Sequence, residues 1–509
     1  MPRAGRENAP EEETGPSPGG GPHDCPRGEP NMSHSAQPEA DARVPRISRR
    51  TFTTTAATAG MAAAVGLAPA VARAATEPEL RAGAGEVSIT PPEVSELFLV
   101  GPNKMATGVN DPLFARTLVL EYGSTRVAIV TTDLLVVHMH YNDELVAAAS
   151  RATGIPAEHV VINTQHTHSA PIPRLVAAAQ ERPESWRDTE YSKWLPEQIA
   201  ASAKAAVDDL QPAQLRAGRE TTQIGMNRRY MTRTHVTMTP NPHGAIVPWV
   251  DTLGAYAKSD GKRIAVLFSY AAHPVIIHGT STLVSGDFPG LAIKRLRHRF
   301  SGGTGELDGV FMFAQGCGGN INGHPLRGGI DACSVVGGEL AWAVSRTQLA
   351  DLPSGPVRVA STELELPFQD PPSVAECQKW VDKFPESLPH REVLEIAKRG
   401  RVGTLRYPIR AISMGDELCI VTLAHEPFCE YQLFAVEKSP FKHTLVFGYV
   451  HGVEQYIATR SAYELGLRGG YEASPHGHAL QSKHRLALRP EVEEMIHEST
   501  VGVMKQLTG

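Results

Sequence analysis

Apolar and polar positions alternate in two kinds of block along residues 83–509. Runs of β-branched and other apolar residues, bounded by polar or turn residues, predict strands at 127–135, from 160, and at 263–272, 310–315 and 357–366. Apolar residues recurring with the helical period predict helices at 143–152, 184–210, 288–300, 335–349 and 373–384, with Trp186 and Trp194 in the core. A hairpin is expected over 409–423, turning at Gly415-Asp416, and a closing helix near 491–507. Strands alternating with helices indicate an α/β fold whose helices cover the sheets. No repeat or linker interrupts 83–509, so a single large domain is expected there.

The N-terminal residues follow neither period. Residues 1–44 are rich in Pro, Gly, Glu, Ser and Ala and bury too little apolar surface to offset chain entropy, which predicts a disordered extension. Within 45–75, Ile47-Ser48-Arg49-Arg50-Thr51-Phe52 precedes an Ala/Thr/Gly-rich apolar stretch and the small-x-small pattern Ala72-Arg73-Ala74. This is the pattern of a twin-arginine export signal, cleaved near Ala75. A retained anchor is disfavoured because Gly60, Gly66 and Pro69 break the stretch. No other segment approaches the ~20 consecutive apolar residues that span a bilayer. The mature chain is therefore expected in the periplasm or outside the cell, with no transmembrane anchor.

Charge and cysteine content narrow the function classes. The segment removed with the signal holds 8 basic and 8 acidic residues, so the net charge of −6 carries over to the mature chain. A mildly acidic body without a Lys/Arg block argues against nucleic acid and against strong attachment to anionic membranes. Five cysteines remain after Cys25 is removed, none in a Cys-x-x-Cys pair, which disfavours a thiolate zinc site. Cys317, in a glycine-rich turn, is placed like a nucleophile, but buried packing suits it better.

The chemistry centres on Val160-Val161-Ile162-Asn163-Thr164-Gln165-His166-Thr167-His168-Ser169-Ala170-Pro171. On a strand, residues two apart share a face, so His166 and His168 are expected side by side, as divalent metals require. The pair alone is weak. Chance predicts about one His-x-His at this histidine content, and the chain has three, the others being His138-Met139-His140 and His476-Gly477-His478.

Further motifs accompany the central pair in order. They are Asn110-Asp111-Pro112-Leu113-Phe114-Ala115-Arg116, Asn227-Arg228-Arg229, Ala272-His273-Pro274, Ser285-Gly286-Asp287-Phe288-Pro289-Gly290, Gln315-Gly316-Cys317-Gly318-Gly319-Asn320-Ile321-Asn322, Glu426-Pro427-Phe428, Gly448-Tyr449, Tyr456-Ile457-Ala458-Thr459-Arg460 and Gly469-Gly470-Tyr471-Glu472. With them, residues from about 83 to 472 resemble the catalytic domain of the neutral/alkaline (non-lysosomal) ceramidases, zinc amidases that cleave N-acylsphingosine. The resemblance implies two mixed β-sheets flanked by helices, with metal ligands at strand ends. It implies a Zn2+ site of His166, His168, His273, Glu426 and Tyr456. His278 rivals His273, and Glu430 and His425 rival Glu426. It further implies Tyr471 as the donor to the oxyanion and Arg228 as a substrate-side cation. The immunoglobulin-like domain often found after this part is not expected, since about 37 residues follow Glu472 and such a sandwich takes ~100.

The sequence departs from the family pattern at one turn. Where the ceramidases end it with Gly-Asp-x-Ser-Pro, Asn320 stands at the aspartate and Asn322 at the functional serine. An amide has no proton to give up at neutral pH, so Asn322 can orient water or a substrate but cannot act as nucleophile or base. This favours attack by metal-activated water. Asp133 and Asp287 are candidate bases, with Asp287 also suited to capping a helix and Asp133 to orienting a histidine ligand. The expected function is an exported zinc hydrolase cleaving an amide of a small-molecule or lipid-like, N-acylated substrate. An esterase or glycoside hydrolase on the same scaffold, or a non-catalytic binding protein, is the alternative. Replacing Arg49 and Arg50 with Lys is expected to hold the precursor in the cytoplasm, because the export receptor reads paired guanidiniums. Cell fractionation checks this, and secretion at the wild-type level would show that the signal is misread.

Overall fold

The apolar runs pair into one continuous hydrogen-bonded ladder. In a computed structural model that describes residues 78–94, 99, 105–173, 190–301 and 309–508, its spatial order is Val310–Gln315, Arg263–Tyr270, Trp249–Ala257, Gln211–Thr221, Leu80–Ser88, Phe114–Tyr122, Thr125–Thr132, Val160–Thr164, His443–Val450, Leu418–Ala424, Thr404–Met414 and Val357–Pro367. The predicted extension, the export signal and Trp186 lie outside the described residues. Most neighbours are antiparallel, but 263–270 with 310–315, 125–132 with 160–164, and 418–424 with 443–450 are parallel. At the junction of Leu80–Ser88 with Gln211–Thr221, Arg81 faces Pro212 and Ala82 faces Gln211. There the ladder folds over, giving the two mixed sheets that the family pattern implies.

Side-chain alternation shows how the sheets pack. Leu418 and Ile420 point into a core shared with Leu253, Leu267, Met312 and Ala314 of the other sheet. Their neighbours Cys419 and Val421 point outward, under the helices Cys429–Lys438 and Val492–Lys505. The helices Met139–Thr153 and Glu190–Asp208 cover the middle of the same sheet, and Trp194 packs against their core. Asp287–Phe300 and Gly329–Arg346 cover the second sheet. The fold is α/β, as expected.

The predicted strands, the hairpin and the helices within the described residues are all present. Several strands carried too weak a pattern to be predicted. Leu80–Ser88 reads LRAGAGEVS, in which glycine and alanine replace the β-branched residues that mark a strand. Those glycines have a packing reason: a Cβ on Gly83 would stand 2.1 Å from Ala206 O, and one on Gly85 2.3 Å from Ser202 O. Helix Glu190–Asp208 thus lies directly on the strand's backbone. Gly83→Ala is expected to cost about 1–3 kcal/mol through overpacking, read as a lower midpoint in chemical denaturation.

Candidate metal centre

Three strand ends converge at one edge of the two sheets. Strand Val160–Thr164 stops before His166, which has a left-handed φ of 71°, so His166 and His168 lie in a loop and not on the strand. Strand alternation therefore does not bring them together, contrary to the sequence expectation. The loop is held instead by His166 N donating to Leu134 O and His168 N to Pro274 O. His273 follows Arg263–Tyr270, where its N–H donates to Ile321 O and its carbonyl accepts from Gly323 N. Glu426 lies beyond Leu418–Ala424 on the short strand Glu426–Pro427, in register with Tyr456.

Their donor atoms meet. Glu426 Oε2 is 3.2 Å from both His166 Nε2 and His273 Nε2. His168 Nε2 is 3.4 Å from His166 Nε2, and the Tyr456 hydroxyl is 3.4 Å from His273 Nε2. Among the described residues His166, His168 and His273 form the one histidine, cysteine or carboxylate cluster with metal-ligand spacing. The other two His-x-His pairs contribute nothing to it. His476 Nε2 lies 3.2 Å from His390 Nε2, in a separate aromatic cluster.

Tautomers decide what the cluster can hold. His166 Nδ1 lies 2.8 Å from Leu135 O and His273 Nδ1 2.8 Å from Gly318 O. A carbonyl only accepts, so both Nδ1 atoms carry the proton in the neutral rings. Burial, reinforced by Arg228, lowers the His273 pKa to about 4, which keeps that ring neutral at neutral pH. In the neutral Nδ1–H tautomers both Nε2 lone pairs face the carboxylate of Glu426, an arrangement that repels unless a proton or a metal ion lies between. Zinc with nitrogen and oxygen ligands at about 2.0–2.1 Å spaces tetrahedral donors about 3.3–3.4 Å apart, close to the 3.2 and 3.4 Å separations here. Leu135 O and Gly318 O, held by the Nδ1 atoms of His166 and His273, fix both rings as carbonyls do for imidazoles that bind metals. His168 differs, since its Nδ1 is buried without a hydrogen-bond partner. Burial, then the neighbouring His166 and His273, pushes its pKa well below the usual value.

The rivals point elsewhere. His278 stands behind His168, with ring centroids 5.0 Å apart. His425 accepts from Glu454 N through Nδ1, and its Nε2 faces Arg406 O. Glu430 accepts from Asn320 Nδ2. Asp133 is bound twice by Arg116 Nη1, at 2.9 and 3.0 Å, and does not orient a histidine. Asp287 accepts from Ile277 N and Phe288 N, and although burial raises its pKa to about 6, it is committed to holding the loop. The five described cysteines are free and buried, and burial pushes the Cys317 thiol far up, which removes it as a nucleophile.

Beside the donors lies a second polar group. Arg228 Nη1 donates to Asn322 Oδ1 at 2.9 Å and Nε to Glu472 Oε1 at 2.8 Å, with the guanidinium over the Tyr456 ring. Asn320 Oδ1 accepts from Cys429 N, so this residue braces a turn. Tyr471 is 42% exposed, its ring 5.8 Å from that of Tyr456, which places it at the mouth.

Residues 80–329 match the family model for the neutral/alkaline non-lysosomal ceramidase N-terminal domain. The fold of the ceramidase-like chain is that of two solved structures. One is the neutral ceramidase from Pseudomonas aeruginosa, with TM-score 0.63 and 18% identity over 85% of this chain and 75% of that one. The other is a ceramidase complexed with C2, with TM-score 0.62 and 17% identity over 85% and 76%. No curated protein matches the sequence.

Three contributors to this ceramidase-like site escaped the sequence reading. Tyr449, at φ 54°, lays its ring 4.5 Å from that of His166 and its hydroxyl 3.5 Å from Glu426 Oε2. Asn163 links the sheets beneath the site. Glu472 joins two guanidiniums, accepting also from Arg229 Nη1 at 2.6 Å. All three stand inside the quoted stretches, which is the signal that could have found them. Burial raises the Glu472 pKa, but Arg228 and Arg229 outweigh it and hold it below the ordinary 4.5. The stability it confers is thus complete above that value and lost as pH falls through the lowered one. Glu472→Ala leaves the buried Arg228 and the partly buried Arg229 without their carboxylate and is expected to cost about 3–5 kcal/mol, measured by denaturation at pH 7.

Proposed function

We propose that the chain is an exported zinc-dependent hydrolase cleaving the amide of an N-acylated, ceramide-like amphiphile. One observation carries the metal part: two buried imidazole lone pairs and a carboxylate oxygen converge with their Nδ1 protons already committed to carbonyls. His166, His273 and Glu426 would hold the ion, with His168 and Tyr456 completing the set. A bound zinc ion supplies Lewis acidity, polarising an amide carbonyl and acidifying water. The match over residues 80–329 supports the amide as the bond cleaved.

The chain's own groups take the remaining roles. Tyr471, at the mouth, donates to the developing oxyanion. Arg228 is fixed by Glu472 and Asn322, and its Nη2, buried without a partner, offers a further donor toward the substrate side. Asn322 Oδ1 is occupied by Arg228, which leaves its amide nitrogen to orient water or substrate. Because that amide stands where the family has its serine, a metal-dependent esterase or glycoside hydrolase is the second reading.

Assay of the metal-replete protein on N-acyl, ester and glycoside chromogens, with N-acylsphingosine, separates the two readings. About one zinc per chain is expected by elemental analysis, lost in the His166→Ala/His168→Ala double variant. Tyr471→Phe should cost about 10²–10³ in turnover, and Asn322→Ala less than loss of a metal ligand. Unchanged metal content in the double variant, full activity of metal-stripped protein, or a covalent intermediate trapped on a side chain would overturn the proposal.

A further inference from the structure

Exposed apolar side chains gather at one edge of the mouth. Among the described residues thirteen large apolar side chains are exposed, and five of them lie on two short stretches. Tyr230, Met231 and Met238 belong to the hairpin of Gly225–Met231 with Val236–Asn241, and Leu467 and Tyr471 to the turn 466–471. The turn is fastened to the hairpin. Arg468 Nε donates to Thr234 O at 3.1 Å and Arg229 Nη2 to Gly469 O at 2.9 Å, and a Cβ on Gly470 would stand 2.8 Å from Val236 O. The two stretches therefore form one surface unit. It adjoins the metal centre through Arg228, two residues before Tyr230 on the same strand, and through Tyr471.

Charge and position say what such a unit fits. Residues 221–250 and 465–471 contain no aspartate or glutamate, in a chain of net charge −6. Arg228 and Arg229 are neutralised by Glu472, while Arg233 and Arg468 are exposed. The carboxylates bordering Leu467 are engaged elsewhere. Asp370 lies 3.7 Å from Arg489, Glu464 lies 3.6 Å from Arg460, and Glu376 accepts from Ser373 N and Oγ. An apolar face carrying guanidiniums matches phosphate groups above hydrocarbon. A second copy presenting the same face would instead set like charges against each other. A protein seated there would also cover Tyr471 and close the mouth, whereas a lipid surface would hold an amphiphile beside it.

We propose that the hairpin and turn dock the chain on a phospholipid surface, with Tyr230, Met231, Met238 and Leu467 entering the hydrocarbon boundary and Arg233 and Arg468 meeting phosphates. The choice of a lipid partner rests on the amphiphile reading, but docking itself needs neither metal nor turnover. Sedimentation with vesicles of phosphatidylcholine, alone and with a minor share of phosphatidylglycerol, tests it on metal-replete and metal-stripped chain. Binding is expected to both vesicles and equally in both metal forms, so a failed hydrolase reading would leave it standing. The combined variant Tyr230→Thr, Met231→Thr, Met238→Thr and Leu467→Ser alters side chains that already face water and keeps β-branched residues in the strands, so its denaturation midpoint should hold. Its vesicle binding should weaken about tenfold or more. Arg233→Gln should reduce the preference for phosphatidylglycerol several-fold. Absence of binding to either vesicle, binding lost with the metal, undiminished binding of the combined variant, or a monomer–dimer equilibrium that this variant abolishes would overturn the assignment.

Discussion

The structure depends on a repulsion that the protein builds into itself. His166 Nε2 and His273 Nε2 each stand 3.2 Å from Glu426 Oε2 in a buried setting, with lone pairs facing it in their Nδ1–H tautomers. Water could relieve this, but burial excludes bulk solvent, and the Nδ1 protons cannot move because Leu135 O and Gly318 O hold them. A proton on one Nε2 or a metal ion between the donors removes the conflict. The surrounding backbone accepts strain to keep the arrangement: His166, His425 and Tyr449 all sit at positive φ, each at a cost of about 1–3 kcal/mol for a side chain bearing a Cβ. Backbone bonds such as Tyr449 N to His425 O offset part of that cost.

The altered turn fits this frame without disturbing it. Asn322 reaches Arg228 with its carbonyl oxygen, whereas a serine hydroxyl at the same Cα, one heavy atom shorter, would fall short of the guanidinium. Loss of the serine therefore comes with a new contact, and Arg228 is pinned from two sides, by Asn322 and Glu472. The adjoining cluster gains rigidity where the family pattern has a reactive hydroxyl. It leaves the donors at Glu426 untouched.

Legibility in the sequence followed the strength of local signals. Strands Arg263–Tyr270 and Leu418–Ala424 carry unbroken apolar runs and were readable, as was the amphipathic helix ending at Asp208. Leu80–Ser88 was not, because its glycines answer to a helix more than a hundred residues away in the chain. At the site, the residues that converge were readable from motif order, but the reason offered for bringing His166 and His168 together was not the physical one. A left-handed residue and two loop hydrogen bonds place them, and neither has a periodic signature. Tyr449 escaped for the same cause: its contact with Glu426 comes from a backbone turn that no propensity encodes.

What fixes the donor distances is a single amide between the sheets. His166 and Glu426 belong to one sheet and His273 to the other, so their separation is the separation of two packed layers. Hydrophobic packing alone tolerates sliding, since it is non-directional. Asn163, fully buried one residue before the end of its strand, removes that freedom. Its Oδ1 accepts from Gln315 N at 2.9 Å, and its Nδ2 donates to Gly448 O at 2.7 Å and Gln315 O at 3.2 Å. Gln315 ends the strand paired with the one that precedes His273, and Gln315 Nε2 in turn donates to Ala272 O. Two of these bonds join the strand before the His166 loop to the neighbour of His273 across the sandwich, and the third ties Asn163 to the adjacent strand of its own sheet. Every partner is directional and buried, so a shift of either sheet would break bonds whose loss leaves unsatisfied polar groups. The spacing of the converging donors is in this sense a property of the interface between sheets, held by Asn163.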